Sequence, residues 1–135
     1  MTLENTMPGF TLHIFLSSIQ SESRLFKEAD FTLRAGICSR VAVVGLWNEG
    51  LATQETTDYG LEIRRLQTLV RRYRNAAVLD RFGLLRRAVA LLSLFQYAFA
   101  CIATARQLRP DHVSCHNAIM LPVAWTAARW SGATL

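Results

Sequence analysis

Cysteine is scarce: Cys38, Cys101 and Cys115 are odd in number, far apart and without the paired spacing of a metal site. Neither a disulfide framework nor a zinc site is expected, and a reducing, cytosolic compartment fits this usage. No secretory leader is expected either, because the N-terminus has no basic region and its apolar run Phe10 to Leu16 is broken by His13. That run reads as a first strand. Internal repeats and low-complexity segments are absent. Charged residues are only 19 % of the chain against 51 % hydrophobic, which excludes a disordered polymer.

What remains is a 135-residue chain, long enough for one domain with a real core and too short for two ordinary ones. A net charge of +5 and a pI near 9.7 favour anionic partners. Nucleic acid is set aside because no recognised motif or aromatic platform interleaves the arginines.

In chain order, Thr11 to Leu16 has the apolar, β-rich character of a strand buried on both faces. A polar loop, Ser17 to Ser21, follows. From Ser23, apolar Leu25, Phe26, Ala29, Leu33 and Ile37 recur at spacings of three and four, with Arg24, Lys27, Glu28 and Arg34 facing out, and Gly36 supplies a stop. Arg40 to Trp47 is a second buried-strand run, so the opening reads β-α-β with a right-handed parallel crossover. Asn48 to Tyr59 suits a loop, and Gly60 to Leu66 a short strand.

From Gln67 to Leu108 the pattern is helical, in two pieces separated near Asn75 to Gly83. The second contains the uncharged stretch Ala88 to Ala105, flanked by Arg86, Arg87 and Arg106. Its length reaches the boundary for a membrane span, but Ser93, Gln96, Tyr97, Thr104 and many alanines favour a buried or interfacial helix. After Pro110 come a strand over Asp111 to Cys115, a helix entered through Pro122 and closed by Gly132, and the start of another strand at Ala133 to Leu135. This order predicts an α/β fold, a partial Rossmann-like parallel sheet flanked by helices.

Two stretches carry a family resemblance. Ser23 to Gly45, SRLFKEADFTLRAGICSRVAVVG, resembles the opening of the N-terminal domain of family-4 glycosyltransferases, where an R-h-h-K-E-A helix ends in Gly and leads into a hydrophobic strand. Arg109 to Leu135 resembles their R-P-D-h-h-H-x-H-D, L-P and A-A-R-x-x-G-A-x-L segment, with H-x-H-D reading Ser114-Cys115-His116-Asn117 here. The resemblance implies the N-terminal, acceptor-side half of a GT-B fold, incomplete over residues 1–135. It implies sugar transfer from a nucleotide-sugar donor with retention of configuration, onto a glycan or lipid-linked acceptor, in cell-surface polysaccharide or glycolipid synthesis. No cofactor is expected beyond that donor substrate. The donor would be held by a C-terminal domain with no counterpart in this sequence, so the chain alone is expected to be inactive and prone to self-association.

His116, at the carboxyl end of its strand, is the candidate catalytic residue: a neutral imidazole donates or accepts hydrogen bonds near pH 7. From the residues alone a structural histidine is the competing reading. Candidate substrate-binding residues are Ser17 and Ser18 after the first strand, Asn117, and Arg24 by motif position. Each has a plain alternative, namely a solvated loop, a turn or cap, and an exposed charged face. His112 lies on a strand without a shared metal-binding face, so no metal is expected. Trp125 and Trp130 are expected to pack.

A basic cluster, Arg64, Arg65, Arg71, Arg72, Arg74, Arg81, Arg86 and Arg87, precedes or enters the apolar helix. Within it Arg71, Arg72, Arg74, Arg86 and Arg87 are candidates for an anionic membrane surface, which implies a cytoplasmic protein peripheral to the inner face of a membrane. A charged face that only aids solubility is the alternative. The competing function is thus a non-catalytic membrane-surface or interaction protein that keeps the fold.

Overall fold

In a computed structural model of the chain, residues 9–69 and 83–135 are described. The first helical piece expected after Gln67, and Arg71, Arg72, Arg74 and Arg81 with it, lie outside the described residues.

Apolar runs become strands here because their side chains are needed on both faces of one sheet. The strands are β1 (Gly9–Ile14), β2 (Cys38–Leu46), β3 (Gln54–Thr56), β4 (Leu61–Leu66) and β5 (His112–Cys115). The helices are α1 (Ser23–Arg34), α2 (Gly83–Leu108) and α3 (Leu121–Ser131), the last preceded by a 3-10 turn at Ala118–Met120. Strand order is β3-β4-β2-β1-β5, parallel throughout except for β3. Val41 to Val44 of β2 are fully buried, because that strand is paired along both edges and covered on both faces.

Handedness decides which helix covers which face. Parallel crossovers share one hand. The step from β1 to β2 runs one way across the sheet, and the return from β4 to β5 runs the other, so their helices belong on opposite faces. The packing agrees: Leu25 and Ala29 of α1 meet Val41, Val43, Leu61 and Ile63. On the other face Tyr97, Cys101 and Ala105 of α2, with Ala124, Ala127 and Ala128 of α3, cover Phe10, Leu12, Ile14, Ala42 and Val44. Beyond β5 the chain returns in parallel, where Thr134 bridges to His112, so the expected strand start at Ala133 to Leu135 is present as a single bridge.

Helix ends follow the expected signals. Gly36 (φ +66°) closes α1 and Gly132 (φ +78°) closes α3, while Pro122 sits in the first turn of α3. The fold differs from expectation at several points. Ile37 lies past the Gly36 turn and is exposed, so it is not part of the buried stripe of α1. Gln54–Thr56, expected as loop, pairs antiparallel at the edge; its three exposed side chains carry no apolar pattern to announce it. Asp111 precedes β5 and accepts a hydrogen bond from the Phe10 amide at 2.7 Å, latching the start of β1. Trp125 and Trp130 are exposed instead of packed.

Candidate functional site

β1 lies between β2 and β5, and the connections that leave β1 and β5 go to opposite faces: α1 on one, α3 on the other. Where neighbouring parallel strands send their chains apart, a crevice opens beyond the carboxyl ends. His116 follows the last residue of β5 and stands there.

Three residues position it. Its ring stacks on Phe15 at a centroid distance of 4.2 Å, its Nε2 lies 2.8 Å from Nδ1 of His13, and Ser114 Oγ is 3.4 Å from the same Nε2. One imidazole nitrogen of the pair donates and the other accepts. His13 occupies the α1 side of β1, since its neighbours Leu12 and Ile14 fill the opposite core, and it is only 5 % exposed. Burial, with a smaller push from His116, lowers its pKa to about 4. The His116 pKa is lowered first by desolvation, then raised by Glu28 and lowered by Arg24. Its ring is exposed at the edge and covered on the face against Phe15. Both imidazoles are therefore neutral at pH 7, so His116 can offer either a lone pair or an N–H to a ligand oxygen.

The loop from β1 to α1 forms the opposite wall and is rigidly held. Ile19 adopts φ +51°, a strained conformation for a β-branched side chain, and is nevertheless fully buried. Arg65, buried on β4, reaches under it: Nε donates to the Ser18 carbonyl at 2.8 Å, Nη2 to the Ile19 carbonyl at 2.8 Å, and Nη1 to Glu55 at 2.5 Å. Gly45 gives the loop room, since a Cβ there would stand 2.5 Å from Ile19 Cγ1 and 2.6 Å from the Ser17 carbonyl oxygen. The Ser17 carbonyl accepts from the Leu46 amide, and the Tyr97 hydroxyl donates to the Phe15 carbonyl from the other face. Burial pushes the Glu22 carboxyl up, but hydrogen bonds from the Ser17 hydroxyl and from backbone amides outweigh it and hold the group below its ordinary range.

These contacts sort the residues singled out from the sequence. His116 and Asn117 stand at the carboxyl edge of β5; the Asn117 side-chain oxygen accepts from the Leu16 amide at 3.0 Å, tying β5 to β1. Arg24 and Glu28, one turn apart on α1, lie within electrostatic reach of His116. Ser17 and Ser18 border the crevice, but the Ser17 hydroxyl donates to Glu22 at 2.5 Å and the Ser18 carbonyl is taken by Arg65. Arg86 and Arg87 are exposed at the start of α2. Arg65, one of the basic cluster, is a buried clamp and not part of a charged surface; Arg64 lies 3.9 Å from Glu62.

No family model, curated protein or solved structure matches this chain.

His13 and Phe15 are the site residues that sequence reasoning passed over, and Arg65 was read there only as one of a basic cluster. One signal for His13 was present: a titratable side chain inside a strand buried on both faces is costly unless something pairs with it. His112 is bonded to the Thr134 hydroxyl. Among the described residues no three His, Cys, Asp or Glu side chains gather as a metal site would require. Two concave surfaces among the described residues lie elsewhere, one over β3 and β4 and one between α2 and α3. Neither contains the histidine pair, and the chemistry of the pair, not the size of a hollow, marks the site.

Proposed function

We propose that this chain is the acceptor-side, N-terminal part of a retaining glycosyltransferase of the family-4 kind. Its sheet is then the Rossmann-like half of a GT-B fold, and a nucleotide-sugar donor is held by a second domain. The observation that carries this reading is the reversal of strand order at β1 and β5 with His116 at the carboxyl end beside it, the position at which open α/β sheets take their ligands. The two sequence stretches that resemble the family fall on α1 with β2, and on β5 with α3, which are the elements that form the two sides of the crevice.

In this reading His116 bonds an acceptor hydroxyl, and His13, which touches no solvent-facing ligand, orients it. The Asn117 oxygen is occupied by Leu16, leaving its amide nitrogen to donate to a sugar oxygen. Arg24 offers a charge to a phosphate, as on a lipid-linked acceptor. Transfer requires donor and acceptor held together, so the chain by itself binds without turning over.

Imidazole NMR signals of His13 and His116 provide the test, titrated with a panel of glycosides and lipid-linked saccharides. Shifts confined to this pair and abolished by His116→Ala are expected. A panel that leaves both signals unmoved, or nucleotide-sugar turnover by the chain alone at the rate of a complete enzyme, defeats the proposal. A second reading, a non-catalytic membrane-surface or interaction protein on the same fold, is favoured by one observation, the bare apolar side of α2.

A further inference from the structure

α2 is 26 residues long and seats only one narrow stripe on the sheet: Ser93, Tyr97, Cys101 and Ala105, four apart. The opposite stripe, Leu84, Leu91, Leu92, Phe95 and Phe99, faces outward, with Phe95 57 % and Phe99 69 % exposed. In its most apolar 18-residue window only 22 % is buried, whereas the core helix of a soluble protein is mostly buried. On α3 Trp125 and Trp130 are also exposed, and Trp130, 60 % exposed, adjoins α2. Between the two helices runs a groove of about 510 Å³ lined by Phe99, Ile102, Ala103, Arg106, Gln107 and Trp130.

Charge narrows what this surface can meet. Neither α2 nor α3 contains an Asp or Glu, while exposed Arg87 stands near one end of the stripe and exposed Arg106 and Arg129 near the other. Arg129 lies over the Trp125 ring at 5.7 Å. A second copy packed through this face would set arginines against arginines with no carboxylate between them. An anionic lipid layer instead supplies acyl chains to the apolar stripe and phosphates to the guanidinium groups, and tryptophan prefers such an interface. α2 is long and apolar enough to cross a bilayer, but its inner stripe is packed on β1 and β2, so it lies along the surface of the fold.

We propose that the α2–α3 layer seats the protein flat on an anionic phospholipid surface. The outer stripe of α2 and the two tryptophans enter the acyl boundary, Arg87, Arg106 and Arg129 engage phosphates, and the α2–α3 groove accommodates an acyl chain. This surface is on the face of the sheet away from His13, so it stands whether or not the crevice binds a glycan, and the two tests fail separately.

The test is flotation of the full chain with phosphatidylcholine vesicles, with and without phosphatidylglycerol. Flotation with the anionic vesicles, weakened by salt, is expected. Phe95→Asp with Phe99→Asp should lower it at least ~10-fold, and Arg106→Ser with Arg129→Ser by about 10-fold, both with unchanged His13 and His116 NMR signals. The proposal is overturned if the chain floats with neither vesicle, floats equally with both, or floats undiminished in both double variants. Resistance to carbonate extraction would overturn it in favour of a span, and a dimer abolished by Phe95→Asp with Phe99→Asp, without flotation, in favour of a second copy.

Discussion

The two helical layers on this sheet cover similar aliphatic strand faces and present opposite outer surfaces. α1 buries Leu25 and Ala29 and turns Arg24, Lys27 and Glu28 to solvent, with Phe31 its single exposed large apolar side chain. α2 buries its stripe with small and polar residues and turns leucine and phenylalanine outward. The polar devices follow the same division: the histidine pair, the Arg65 clamp and the strained Ile19 all belong to the α1 face, at the carboxyl edge. One face of the sheet thus holds fixed polar chemistry, and the other ends in an exposed apolar stripe. Burial alone explains the inner halves of both layers and neither of the outer ones.

Breaking the α1 face should have the largest effect on folding. Arg65→Ala removes a side chain that is 2 % exposed and leaves the Ser18 and Ile19 carbonyls without their donor. A loss of about 3 kcal/mol or more is expected in urea denaturation. Next comes acidification. The folded pKa of His13 lies near 4, below the unfolded 6.5, so the unfolded state takes up the proton first. Stability is therefore full above pH 6.5 and falls as pH drops towards 4, by up to about 3 kcal/mol, with His116 acting in the same direction. His13→Gln should flatten that slope.

Smaller changes sharpen the contrast. Gly45→Ala forces the loop away from β2 and should cost about 2 kcal/mol, read in the same unfolding assay. On the other face Tyr97→Phe deprives the Phe15 carbonyl of its hydroxyl donor and should cost about 1 kcal/mol, because the Val44 carbonyl keeps the Phe15 amide. Smallest of all, Leu91→Gln on the outer stripe of α2 should move the unfolding midpoint by less than about 0.5 kcal/mol. A large destabilisation there would mean that this stripe is already covered, and the contrast between the two layers would fail.

Much of the architecture was legible because it depends on periods that neighbours cannot alter. The valine-rich run Val41 to Val44, the i, i+4 pair Leu25 and Ala29, Pro122 and Gly132 all announce their elements locally. The helix boundary at Arg34 and the three-residue β3 were less legible, since an edge strand of polar residues has no periodicity. The site was half visible. His116 could be placed at a strand end by counting along the chain, but its partner lies 103 residues away on β1, and only the parallel pairing of β1 with β5 brings the two rings together.

By itself, the sequence determined that this chain forms an α/β sheet with its apolar runs inside, because burial of those runs follows from their period and composition. Tertiary structure alone decided which face each helix covers. It also decided that Arg65 is a buried clamp and not a surface charge, that His13 and His116 are hydrogen-bonded to each other, and that the apolar stripe of α2 is left exposed. Those outcomes depend on the order of strands across the sheet, a relation between distant segments to which no local pattern is sensitive.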